Sequence, residues 1–476
     1  MLKKEPAVLT CLGLLVFLCL TSLILRYQQL DRIPYGFHVD EMSSSVDIGC
    51  LVSEGVDADN VPYPLFSSVN YGTPKPPTYL YPAFAWAKVF GYSAPSLRAL
   101  SVSMHLLGII GLFFLARSFF GWRCAVLTAT AACLSPWTWN ISRVAFESLF
   151  AVTFLIGGMY FFFKSPKIYN SLLSALFLTA AMYSYPPIRV QAPLMVLSLI
   201  AYAHYKYPRP LKSWGTFGLT MVLFSIPLIQ KVLSGELQGR FNTISIFSSA
   251  SGSDIGRSFI NNFFIHFSPD FLFLTGDPSY VHSTRHFGIL SWLDILALSF
   301  GVIWLFMLIV GWLREGKPEA RTRRSDKGIL LLLLANILIG VLPAALTNSE
   351  LPNALRITGA WPFSCLLSGY LLWQACEKWW GAWIITTLTA ILFAMVFFNV
   401  YFKAFPQEGK GMFAYWTLDQ AKELKTDEDW LKFVMLYRRQ DYNARYYLMQ
   451  YKGVGCTQSR KIWNGVNELL KSHGSP

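Results

Sequence analysis

Charge-poor apolar runs recur along this chain, and no other feature limits its fold so strongly. Ala7 to Leu25 contains no charged residue, and comparable runs follow at 97–119, 124–139, 144–163, 170–185, 190–204, 215–230, 291–313, 328–346, 358–376 and 382–402. A bilayer core is crossed by about 20 apolar residues in a helix, or somewhat fewer where the helix is short or half buried in protein. Inside hydrocarbon the backbone must satisfy its own hydrogen bonds, which leaves helices or closed barrels. Runs of this length predict an all-α polytopic membrane protein with about eleven transmembrane helices. Composition agrees: 14% of the 476 residues are charged, against about 25% in a soluble domain.

The loops set the orientation. Arg117/Arg123, Lys164/Lys167, Lys206/Arg209/Lys212 and the run Arg314, Lys317, Arg321, Arg323, Arg324, Lys327 all fall on the side that holds the N-terminus. Basic loops mark the cytoplasmic face, so eleven spans leave the C-terminal tail outside. The net charge of +13 is explained by these loops. With no basic stripe on a soluble element, nucleic-acid binding is not expected. The first apolar run exceeds the roughly 7–15 residues of a signal-peptide core and lacks a small-residue cleavage site, so it reads as a retained span.

The long segments lie outside. Residues 26–96 form a first extracytoplasmic loop with an interfacial helix near 78–90, residues 231–290 a large extracytoplasmic loop, and 403–476 a small soluble domain. In that tail WTLDQAKELK and ARYYLMQ read as helical and KFVMLY as strand-like, which predicts an α/β unit. By this topology only Cys50 and Cys456 lie in soluble outside segments, and a disulfide between them is expected. There is no C-x-x-C pair and no H-E-x-x-H, and no metal site is expected.

Asp40 and Glu41 lie about fifteen residues beyond the first span, near the outer membrane surface, where a carboxylate can take a proton from a nucleophile. Their plain reading is a solvated acid or helix cap. Lys75 precedes Pro76-Pro77, which stiffen the chain and fix an ammonium near the headgroups. The alternative is a snorkelling lysine. Arg143 and Glu147 share a helix face at the start of an apolar run, where ionisable groups are functional or paired. Arg189, Arg240, Arg285, His286 and Arg356 lie on further outer segments. His266, Asp270, Asp277, His282, Arg285 and His286 fall within twenty-one residues, yet their spacing matches no strong ligand pattern. Cations should be scarce outside; a phosphate or pyrophosphate ligand would account for them.

Taken in order, these motifs resemble those of the GT-C glycosyltransferases that use polyprenyl-phosphate sugars, particularly the protein O-mannosyltransferase and aminoarabinose (lipid A) transferase branch. The likeness runs over about residues 1–400. It rests on Asp40-Glu41, Lys75-Pro76-Pro77, Ser142-Arg143 with Glu147, Tyr185-Pro186-Pro187-x-Arg189, SPDFLFLTGD with Arg285-His286-x-Gly288, and Pro352-Asn353-Ala354-Leu355-Arg356. Two departures stand out: Asn353 occupies a position where many relatives carry His, and Glu147 one where many carry Asp.

The resemblance implies a GT-C-like catalytic domain over 1–402 in the bacterial plasma (inner) membrane. The reaction it implies is inverting transfer of a sugar from a polyprenyl-phosphate carrier to a glycan, lipid or protein acceptor. In that scheme Asp40 is the general base, Glu41 and Glu147 orient the acceptor or the base, and Lys75, Arg189 and Arg356 hold the lipid phosphate. The competing functions are a lipid-linked sugar transporter or flippase, which would carry midplane charges and repeated halves, and a glycan ligase or polymerase.

Overall fold

The computed structural model describes residues 6–67, 69–70, 73–206, 209–249, 252–315, 324–437 and 441–472. Lys317, Arg321 and Arg323 of the basic run lie outside the described residues. The first half of the chain gives α1 (Pro6–Tyr27), α2 (Val39–Glu54), the two-residue strands β1 (Val69–Asn70) and β2 (Thr73–Pro74), and α3 (Pro77–Phe90). Next come α4 (Ala94–Phe120), α5 (Trp122–Leu134), α6 (Pro136–Ser142), α7 (Ser148–Lys164), α8 (Ile168–Ser184), α9 (Pro186–Lys206) and α10 (Leu211–Leu233). The second half adds α11 (Gly239–Ile244), α12 (Ile246–Ser249), α13 (Gly252–Ile265), α14 (Trp292–Glu315), α15 (Arg324–Ala345), α16 (Trp361–Lys378) and α17 (Gly381–Asn399). The tail holds α18 (Phe405–Glu408), α19 (Tyr415–Glu423), α20 (Asp427–Leu436), α21 (Asp441–Tyr447) and α22 (Cys456–Ser472).

A helix lies on each apolar run: α1, α4, α5, α7 to α10 and α14 to α17. Among the described residues five, α1, α4, α10, α15 and α17, are long and apolar enough to cross a membrane, while α5, α7, α8 and Trp292–Met307 of α14 are apolar but shorter. Pro136 explains one short helix. The residue before a proline is driven out of the helical region, and Ser135 is extended, with ψ at 116°, between α5 and α6. The bundle is built from close pairs, α7 on α8, α4 on α7, α5 on α16 and α9 on α15. Without a hydrophobic drive between helices in lipid, small residues permit such approach. At Gly158 an added Cβ would lie 2.6 Å from the Leu178 side chain.

The tail differs from the expected α/β unit. KFVMLY is helical, lying in α20 as far as Leu436, and no strand occurs among the described tail residues. The physical cause is a capping box: the Thr426 hydroxyl accepts from Asp429 N–H at 3.1 Å, and the Asp429 carboxylate accepts from Thr426 N–H at 3.0 Å. Such a box nucleates a helix and overrides the β-propensity of the residues that follow.

The tail docks on α2. Phe37, Met42 and Val46 share one buried cluster with Trp430, Phe433, Tyr446, Tyr447 and Trp463. A disulfide joins Cys50 to Cys456, with their Cα atoms 4.9 Å apart.

Candidate functional site

Helix α2 begins where it does because His38 caps it. The His38 Nδ1 accepts from Asp40 N–H at 3.3 Å, and the Glu41 carboxylate accepts from His38 N–H at 3.4 Å. Asp40 and Glu41 occupy the first turn, where negative charge is favoured by the helix dipole. The Asp40 side chain remains 43% exposed and lies 3.8 Å from the Lys75 Nζ. Lys75 is nearly buried, with its side chain 8% exposed. Pro76 and Pro77 open α3 directly behind it. Proline suits a helix start because no N–H donor is needed there, and two in succession hold Lys75 at a set height.

Burial acts to raise the Asp40 carboxyl. Lys75, then His38, Arg240 and His282 outweigh it and hold the group below its usual carboxylate range. Asp40 is therefore ionised at neutral pH.

Glu147 immediately precedes α7, and the charged groups acting on it are Lys75, Asp40 and Arg189. Arg189 stands in the first turn of α9. Its Nε donates to the Met182 carbonyl at 3.3 Å, and its Nη2 is buried with no hydrogen-bond partner. A buried donor left unpaired costs about 1–3 kcal/mol, more when charged, so that nitrogen is suited to an anion. Tyr185, buried at the end of α8, feels Glu147, Arg356 and Asp40. Lys75, Asp40 and Arg189, which come from three other chain segments, thus all lie within electrostatic reach of Glu147.

Other residues singled out in the sequence serve the framework. Both Glu41 oxygens are engaged by Arg98, at 2.6 and 2.9 Å, and each side chain is 1% exposed. That pairing takes Glu41 away from any acceptor. Arg143 donates to the carbonyls of Leu25, Gln28 and Ile33, at 3.3, 2.8 and 2.9 Å, and closes the C-terminal end of α1, where carbonyls lack helical partners. It forms no pair with Glu147 among the salt bridges of the described residues. Arg356 is turned back on its own loop, bonded to Thr347 at 3.1 Å and Ser349 at 3.2 Å. Arg285 is exposed beside the Tyr280 ring, and exposed His286 pairs with Glu408 at 2.7 Å. Arg240 is exposed in α11, yet it acts on both Asp40 and Arg356.

The His/Asp-rich loop is stitched to the loop before α16. The Asp277 carboxylate accepts from Ala354 N–H at 2.6 Å and contacts His282 Nδ1 at 3.2 Å. His266 Nε2 accepts from Asn353 N–H at 3.1 Å. Among the described residues no group of three or more His, Cys, Asp or Glu gathers to hold a metal. Two neighbours of Asp40, His38 and His282, were not assigned to the site from sequence. His38 lies two residues before Asp40 in the chain, and its signal is the cap position itself.

The fold of this bundle is shared with a solved membrane-protein structure. Over 96% of this chain and 75% of the other, it superposes on apo ArnT from Cupriavidus metallidurans, an aminoarabinose lipid A transferase, with a TM-score of 0.50 at 14% identity. ArnT bound to undecaprenyl phosphate gives 0.47 at 14% identity, covering 95% of this chain and 75% of that one. The oligosaccharyltransferase AglB from Archaeoglobus fulgidus, in complex with an inhibitory peptide and a dolichol-phosphate, gives 0.48 at 14% identity. This chain covers 93% of its own length in that match and spans 60% of the archaeal protein. No family model matches the chain, and no curated protein matches it. At this identity the likeness is one of fold.

Proposed function

We propose that this protein is an inverting glycosyltransferase that moves a sugar from a polyprenyl-phosphate carrier to an acceptor outside the cytoplasm. The observation that supports the reading is that Lys75, Asp40 and Arg189 all act electrostatically on Glu147, and that one Arg189 nitrogen is buried without a hydrogen-bond partner. The acceptor's O–H or N–H proton passes to Asp40 as the acceptor attacks the anomeric carbon. The bond from that carbon to the phosphate oxygen breaks, and its electron pair leaves with the lipid phosphate. Lys75 and Arg189 face the growing negative charge, and preorganised donors of this kind are worth about 2.7–4 kcal/mol each. Arg240 adds positive field at Asp40. Glu147 orients the acceptor. A base of this type contributes about 10²–10⁴-fold, and holding donor and acceptor together lowers the barrier further.

The same reading makes all eleven apolar helices membrane crossings in a bacterial plasma membrane, with the N-terminus cytoplasmic and the tail outside. Residues 1–402 form the catalytic domain and 403–476 a soluble cap upon it. A lipid-linked sugar transporter would place its charges at the bilayer midplane, whereas these gather at helix ends.

The test is mass spectrometry of lipid copurified with the protein, together with transfer assays on the donor so found. Wild type and Asp40→Asn are expected to retain the same polyprenyl phosphate, with transfer about 10²–10⁴-fold slower in the variant. Full-rate transfer by Asp40→Asn, or recovery of bulk phospholipid alone without any transfer, overturns the proposal.

A further inference from the structure

The cap on α2 has a chemical feature beyond its structural role. Because the His38 Nδ1 accepts the Asp40 N–H at 3.3 Å, the neutral ring carries its proton on Nε2. The same Nδ1 lies 3.6 Å from the Asp40 Oδ2. In the neutral state, two lone-pair-bearing atoms face each other there. A proton on Nδ1 ends the acceptance from Asp40 N–H and turns the nitrogen into a charged donor aimed at the carboxylate. The ring is held edge-to-face against Phe146, with centroids 5.3 Å apart, and the side chain is 22% exposed, so a proton can arrive without the ring leaving its place.

We propose that His38 is a positioning residue that decides when Asp40 can act as a base: neutral, it caps α2 and leaves the Asp40 Oδ2 open to an acceptor while Oδ1 faces Lys75; protonated, it clamps Oδ2 in a second ion pair. The inference rests on the reading of Asp40 as the base. The groups facing His38 are Asp40 and Glu41 on its own helix, Lys75 from the link between β2 and α3, and His282 from the loop before α14. Burial, the largest influence, lowers the imidazole below its ordinary value; Asp40 and Glu41 draw it up, and His282 and Lys75 push it down. The ring is accordingly neutral at pH 7. As pH falls, His38 protonates while Asp40, held below the usual carboxylate range, is still ionised. The clamp closes before the base itself is lost.

The experiment compares the pH dependence of kcat/KM in wild type and His38→Ser. Serine caps helices well and does not titrate, so the variant keeps the helix and removes the clamp. Its acid limb is expected at least about one pH unit lower than that of wild type, with KM for the donor unchanged. Superimposed profiles in a variant of unchanged thermal stability overturn the inference. Histidine-selective ¹⁵N NMR on the intact protein provides a readout without turnover, with the His38 signal assigned by its loss in His38→Ser. The expected result is a neutral Nε2–H tautomer at pH 7 whose titration moves to lower pH in Asp40→Asn. An Nδ1–H tautomer, or a titration indifferent to Asp40→Asn, also overturns it. Absence of transfer in wild type at every pH would count against the glycosyltransferase reading alone, because the NMR titration tests the clamp separately.

Discussion

Replacing Glu41 by Gln separates a structural role from a chemical one at two adjacent carboxylates. Arg98 Nε and Nη2 donate to the two Glu41 oxygens at 2.6 and 2.9 Å. The remaining donors reach the carbonyls of Leu30, Pro34 and Gly36 at 3.0, 3.0 and 2.6 Å. Arg98 therefore joins α4, α2 and the turn that connects α1 to α2. Gln in place of Glu41 keeps the shape and removes the charge, leaving a buried guanidinium uncompensated. Breaking one partner of a buried pair costs about 3–5 kcal/mol, roughly 10²–10⁴-fold in the folding equilibrium. The assay is unfolding by SDS titration in mixed micelles, with kcat and KM measured on the folded fraction. The expected outcome is a large loss of stability with near-normal turnover per folded molecule. In a double-mutant cycle with Arg98→Met the two costs should be strongly non-additive, although Arg98→Met also strands three carbonyls at about 1–3 kcal/mol each. Wild-type stability with lost transfer in Glu41→Gln would refute this reasoning and return Glu41 to the reacting centre.

Two further outcomes follow from the geometry. Arg189→Gln should slow transfer by about 10²–10³-fold at little cost in folding, since the one hydrogen bond described for its side chain is that to Met182; unchanged kinetics would remove Arg189 from the phosphate site. Replacing Cys50 and Cys456 together by Ser should weaken docking of the tail by about 2–4 kcal/mol and speed limited proteolysis of 403–476, and equal cleavage rates would show that apolar packing alone secures it.

The helices were legible because charge-poor runs of membrane length admit few other structures, and the setting of a polar side chain was legible where its neighbours in sequence fix its place. Lys75 is set by the two prolines behind it, Asp40 by its distance from the first span. Arginine was harder to read. A cation outside the membrane signals an anion, but a guanidinium also satisfies carbonyls, and the two uses look alike in sequence. Arg143 closes a helix end more than a hundred residues earlier, a partnership created only by the fold, whereas Arg189 has no such carbonyl set and keeps a free nitrogen. KFVMLY misled because its β-propensity is local and weak, while Thr426 and Asp429 upstream carried the stronger signal.

The docking of the tail on α2 bears on when the protein can become competent. Cys50 and Cys456 are separated by 406 positions, and the apolar face of the helix that presents Asp40 is covered by side chains from that distant stretch. During synthesis, the part that bears Asp40 emerges hundreds of residues before its cover. Its final setting must await the later segment, which makes the covered helix a report that the chain as far as Cys456 and Trp463 has been made and folded back.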